Sequence, residues 1–102
     1  MAIVSSTKTV TSDAAATLLC SAPAGGLVGI PTSVYLRVAT AACFVGGPSV
    51  TDGVNGSGAS ASNAGVQLDI NVVYPFILYP GDSLYAFTHS ASSLVTVLCT
   101  RS

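Results

Sequence analysis

In residues 33–39, Val34, Leu36 and Val38 alternate with Tyr35 and Arg37, so apolar side chains recur at every second position. Only an extended strand puts alternate residues on one face. The same period returns at 65–73, where Val66, Leu68, Ile70 and Val72 oppose Gln67, Asp69 and Asn71. It returns again at 83–88, with Leu84 and Ala86 opposed to Tyr85 and Phe87. Residues 94–100 set Val95, Val97 and Cys99 against Leu94, Thr96 and Leu98. Both faces of that last segment are largely apolar, which predicts a strand at the centre of its sheet. Shorter strands are expected at 7–11, 17–21, 42–46 and 76–79, with 42–46 the hairpin partner of 33–39. Helical spacing is confined to 12–19, where Ser12 or Asp13 caps an alanine-rich turn, and a strand fits Thr17, Leu18 and Leu19 equally well.

The segments between these runs carry turn chemistry. In Pro80-Gly81-Asp82, proline fixes φ for the first central turn position and glycine takes the positive φ of the second. Residues 22–32 form a connection built on Pro23, Gly25, Gly26, Gly29 and Pro31. Residues 46–64 read as a long Gly/Ser-rich loop, nearly structureless, either an arm that becomes ordered against a neighbour or a plain surface loop. Seven or eight short antiparallel strands, with turn signals roughly every ten residues, predict an all-β fold, a β-sandwich or a small jelly-roll-like barrel. A length of 102 residues allows one domain, with residues 1–6 as a flexible N-terminal arm.

Charge is scarce. Lys8, Arg37, Arg101, Asp13, Asp52, Asp69 and Asp82 make up 7 % of the chain, against about a quarter in typical domains. The surface of such a domain is therefore mostly Ser, Thr, Ala, Gly and apolar side chains, and it favours burial against other protein. A net charge of -1 with three scattered basic residues lacks the clustered positive face that nucleic acid or an anionic membrane requires. The apolar run at 70–78 is broken by Asn71 and Pro75 and falls short of the ~20 residues of a spanning helix. The first residues show no basic segment followed by an apolar one, so synthesis in the cytoplasm without export is the expectation.

Chemical motifs are weak throughout. Cys20, Cys43 and Cys99 cannot all pair within one chain and contain no C-x-x-C. They read as buried thiols. One intrachain disulfide formed in an oxidising medium is the alternative, and a zinc site with His89 has no supporting ligand spacing. His89 lies in a serine-rich turn and no G-x-S-x-G elbow accompanies it, so a hydrolase triad is not expected. Asp69 and Asp82 pair as catalytic acids only if they converge, and a turn-capping role suits Asp82 better. Asn55-Gly56-Ser57 is a formal glycosylation sequon that matches by chance. No enzymatic activity and no cofactor are expected. Tyr35, Tyr74, Phe76, Tyr79 and Tyr85 are the candidate interface residues, because aromatic side chains contribute apolar area and tyrosine adds a polar handle. The four tyrosines also suit a sugar-stacking platform.

Three segments, Phe44-Val-Gly-Gly-Pro-Ser-Val-Thr51, Pro75-Phe-Ile-Leu-Tyr-Pro-Gly-Asp-Ser-Leu-Tyr-Ala86 and Leu94-Val-Thr-Val-Leu98, together resemble the small all-β structural proteins of tailed-bacteriophage virions. The resemblance spans about the last two-thirds of the chain, and the 46–64 loop departs from the pattern. It implies a capsid decoration (cement) protein that binds the major capsid protein between capsomers and stabilises the head. The expected assembly is a homotrimer, with a dimer as the second geometry, located on the capsid surface of the virion. The alternative it implies is a small fibre or tail module that recognises a host-surface glycan. It carries over no catalytic residue.

Overall fold

A computed structural model describes residues 2–12, 15–22, 32–55, 58–89 and 91–101. The fold is all-β: β1 (Ala2–Val10), β2 (Thr17–Ser21), β3 (Thr32–Ala39), β4 (Cys43–Gly46), β5 (Val66–Leu68), β6 (Val73–Leu78), β7 (Ser83–Phe87) and β8 (Ser93–Arg101). These strands form two four-stranded antiparallel sheets, a front sheet in the order β1-β8-β3-β6 and a back sheet in the order β2-β7-β4-β5. The arrangement is a β-sandwich.

The alternation in the sequence becomes the division between inside and outside. Val34, Leu36 and Val38 of β3 are fully buried, as are Val95 and Val97 of β8, and the front sheet contributes them to the core. The back sheet meets them with Cys20, Cys43, Val45, Leu68, Leu84 and Ala86. β8 lies between β1 and β3, as its two apolar faces require. The turn after β6 has the expected build: Gly81 has φ +92, the Asp82 N–H donates to Tyr79 O at 2.9 Å, and the Asp82 carboxylate accepts from the Tyr79 N–H at 3.0 Å.

Several local expectations are corrected. The segment 42–46 does not pair with β3; β4 lies in the back sheet against β5 and β7. Thr40 takes a left-handed φ of 82, and two buried hydroxyls hold the chain as it changes sheets. Ser93 Oγ donates to Ala39 O and Ala41 O and accepts from the Ala41 N–H, while Thr88 Oγ1 donates to Ala42 O and Ala91 O. The strand expected at 65–73 is likewise broken. β5 ends at Leu68, Asn71 has φ 62, and its N–H donates to Val38 O at 2.7 Å, so the chain crosses to the front sheet. Of its apolar set only Leu68 enters the core; Val66, Ile70 and Val72 are exposed. The 12–19 segment supplies strand β2 rather than a helix, with Asp13 and Ala14 outside the described residues. The connection at 23–31 also lies outside them.

The N-terminal arm expected at 1–6 is strand from Ala2 onward, paired with residues 97–101 of β8; Met1 is outside the described residues. The 46–64 loop is a folded element rather than a structureless arm. The Thr51 N–H donates to Asn63 O and the Gly65 N–H to Thr51 O, both at 2.9 Å, and a short 3-10 turn spans Ala61–Asn63. Val50 folds back over the outside of the back sheet and is buried. It fits because Gly46 and Gly65 lie beneath it: a Cβ at Gly65 would stand 2.5 Å from Val50 Cγ2.

Candidate interaction face

The outer face of the front sheet follows from its register. β1 supplies Ser5, Thr7 and Thr9; β8 supplies Leu94, Thr96 and Leu98; β3 supplies Ser33, Tyr35 and Arg37; β6 supplies Val73, Pro75 and Ile77. Val73 and Ile77 are each 60 % exposed and Leu94 is 46 % exposed. Arg37 is the one charge among these positions. Tyr35, Arg37, Val73, Thr96 and Leu98 line a shallow, almost wholly apolar depression. An antiparallel sheet can leave one face to water, but that face is then usually polar; on β8 it carries the exposed Leu94 and the half-buried Thr96 and Leu98. Apolar side chains gathered on one sheet face bury readily against a partner, whereas singly scattered ones need no explanation.

The sheet edges are poor pairing templates by comparison. β1 carries Lys8 opposite the buried Val95, so a charge that remains exposed sits in the core-facing register of this edge strand. β6 contains Pro75, which lacks an N–H, and sheets accept proline at their edges. β5 is three residues long, and β2 carries a bulge between Leu18 and Cys20. Charge, proline, shortness and bulging all discourage edge-to-edge pairing. The flat face, not the rim, is the surface open to recognition.

The aromatic candidates do not assemble into one patch. Tyr35 lies on the outer front face and is 41 % exposed. Tyr74 and Phe76 point the other way, opposite Leu36 and Val34, and pack against the core. Tyr74 OH also accepts a hydrogen bond from the Asp69 N–H at 3.0 Å. Tyr79 is exposed at the turn following β6. Tyr85 stands opposite Leu18 on the outer face of the back sheet. The four tyrosines thus form no single stacking platform. Leu94, Leu98, Val73 and Ile77 are the face residues that an aromatic search passes over. For Leu94 and Leu98 the signal was the apolar second face of residues 94–100.

The polar chemistry collects elsewhere. Asp52 Oδ1 accepts from the backbone N–H groups of Val54 and Asn55 at 2.9 and 2.6 Å, and Oδ2 from Asn55 Nδ2 at 2.8 Å. The side chain and backbone of Asn55 hold this carboxyl down to about 2, with smaller help from Val54 and the nearby His89. Asn63 Oδ1 accepts from Thr51 Oγ1 and from the Ser60 N–H, and its amide donates to Gly58 O. These contacts close the loop on itself. Asp82 caps its turn, as expected. Among the described residues, no three His, Cys, Asp or Glu side chains come together as metal ligands, and no helix is long and apolar enough to cross a membrane.

Comparison with protein-family models, with curated proteins and with solved structures finds no match to this chain.

Proposed function

We propose that this chain is a non-enzymatic virion structural protein, a capsid decoration protein that seats between capsomers and stabilises a phage head. The observation that carries the reading is the outer face of the front sheet, where Leu94, Val73, Ile77 and Tyr35 are exposed around one charge. Such a face buries against a shell protein without stranding charges, whose desolvation is costly. The turn and strand segments that resemble small phage structural proteins support the major capsid protein as the partner, with further copies of this chain around a threefold axis. A homotrimer is the proposed assembly, and closed symmetry of this kind covers a self-complementary or neighbouring patch on every subunit.

The decisive experiment counts this chain in purified particles by quantitative mass spectrometry against the major shell protein. One copy, or one-third of a copy, per shell subunit is the expected result for a lattice-decorating protein. A handful of copies per particle would move the protein to a tail or fibre, where host-glycan recognition becomes the reading. Absence from the particle would overturn a virion role altogether.

A further inference from the structure

The sandwich brings two of its cysteines together from opposite sheets. Cys20 belongs to β2 of the back sheet and Cys99 to β8 of the front sheet, and both are buried. Their sulfurs lie 2.6 Å apart. Local backbone geometry produces this meeting. In β2, Leu18 pairs with Tyr85 and Cys20 with Leu84, so Leu19 is an extra residue on the bulged strand. Without that bulge, strict alternation from the outward-facing Leu18 would turn Cys20 away from the core. Bulges re-aim side chains in this way. On β8, Cys99 stands opposite Val34, in the core-facing register of the front sheet. Cys43 is elsewhere, opposite Leu68 on β4, where its thiol donates to Ala41 O at 3.8 Å.

We infer that Cys20 and Cys99 are a redox pair that forms an inter-sheet disulfide when the protein meets an oxidising medium. The reaction is exchange with a small disulfide such as oxidised glutathione. One protein thiolate attacks a glutathione sulfur, the glutathione S–S bond breaks, and one glutathione thiolate leaves. The second protein thiolate attacks the protein sulfur of the mixed disulfide, forming the Cys20–Cys99 bond and releasing the second glutathione thiolate. Two protein thiols are oxidised, one small disulfide is reduced, and the two protons pass to the departing thiolates. Cys20 is the entry point, because it lies on a five-residue bulged edge strand, whereas Cys99 lies on a central one. Burial pushes the Cys43 thiol up, against a smaller opposing hydrogen bond from Ser93, which disfavours its reactive thiolate. The bond would tie residues 79 apart in sequence and join the two sheets. The inference is independent of the particle to which the chain belongs.

The test incubates the folded protein with oxidised glutathione, unfolds it, alkylates with a maleimide and measures the intact mass. Expected is a loss of about 2 Da, for the two hydrogens removed, with one maleimide added in place of three. Digestion after aromatic residues separates Cys43 from Cys99, and the joined peptides should carry Cys20 and Cys99. Oxidation should raise Tm by about 10 °C or more, given a loop of this length in a chain of this size. Cys43→Ser should keep both the mass loss and the Tm rise, and Cys99→Ser should lose both. Three maleimides on the oxidised protein, a bridge that includes Cys43, or a mixed glutathione disulfide that persists would each overturn the pairing.

Discussion

At the scale of single residues, Asp52 and Gly65 show how much of the 46–64 loop depends on individual atoms. The Asp52 carboxyl is held at about 2 in the folded chain by Asn55 and Val54, whereas a free aspartate titrates near ~3.9. Between these values the unfolded chain binds the proton and the folded chain does not. The contribution of Asp52 to stability is therefore present above pH ~4 and is lost as pH falls toward ~2. Carbon-detected NMR of its side chain should give a midpoint near 2, and a midpoint near 4 would mean that the Asn55 contacts do not form in solution. Gly65 is constrained by space instead. A Cβ there would stand 2.6 Å from Val45 O and 2.5 Å from Val50 Cγ2, and backbone on one side leaves little room to yield. Gly65→Ala should cost about 1–3 kcal/mol by overpacking, read as a lower midpoint in urea. Gly47→Ala, with nothing within 4 Å of its Cβ, should be silent in the same assay. Neither requirement was legible in advance. The Gly and Ser content of 46–64 signals a loop, but which glycine lies under which valine depends on how the loop folds back.

At the scale of elements, period-two alternation located the strands well and their partners poorly. β3, β7 and β8 lie where Val34-Leu36-Val38, Leu84-Ala86 and Val95-Val97-Cys99 indicated, because burial on one sheet face imposes that pattern directly. The hairpin expected between β3 and β4 failed for a physical reason: alternation records which side is buried and says nothing of which sheet a strand joins. The change of sheet at 40–42 is governed by the φ of Thr40 and by Ser93, a residue 52 positions away from Ala41. The same holds at 69–72, where apolar Ile70 and Val72 imitate a continuing strand although the chain is leaving it. Ser93 is therefore the most informative element-scale substitution. It is 2 % exposed and its hydroxyl serves Ala39 O, Ala41 O and the Ala41 N–H. Ser93→Ala would remove the hydroxyl from all three, leaving the Ala41 N–H its contact with Ala39 O at 3.1 Å and Ala41 O the weak Cys43 thiol at 3.8 Å, at a cost of about 1–2 kcal/mol. Thermal melts should show Tm lowered by roughly 5–15 °C, and a change below ~2 °C would mean that water replaces the hydroxyl.

At the scale of the molecule, the geometry of the front sheet bounds what its outer face can do. Four strands about 4.8 Å apart, six to nine residues long at ~3.3 Å per residue, give a footprint of ~500 Å². A stable single interface buries about 800 Å² per partner, so this face alone supports a contact of modest strength. Modest contacts become effective when they are repeated or linked, since each further contact is then made at high effective concentration. A subunit held at several points on a lattice meets that condition and an isolated dimer does not, which is why the proposed assembly involves both shell protein and further copies of the chain. The decisive comparison places the same charge on opposite faces. Leu94→Lys and Ile77→Lys alter exposed positions on the outer front face, while Leu18→Lys alters a position of similar exposure, 45 % against 46 % for Leu94, on the outer back face. All three should fold with stability within about 1 kcal/mol of the parent, as exposed substitutions do, checked by circular dichroism melts. On particles stripped of this protein, the two front-face variants should lose rebinding by tenfold or more. That is the consequence of burying one unpaired charge at about 1.4 kcal/mol or above. Leu18→Lys should rebind as the parent does. If Leu18→Lys alone abolished rebinding, the docking surface would be the back sheet, and the charge-poor front face would be left to contacts between copies of the chain.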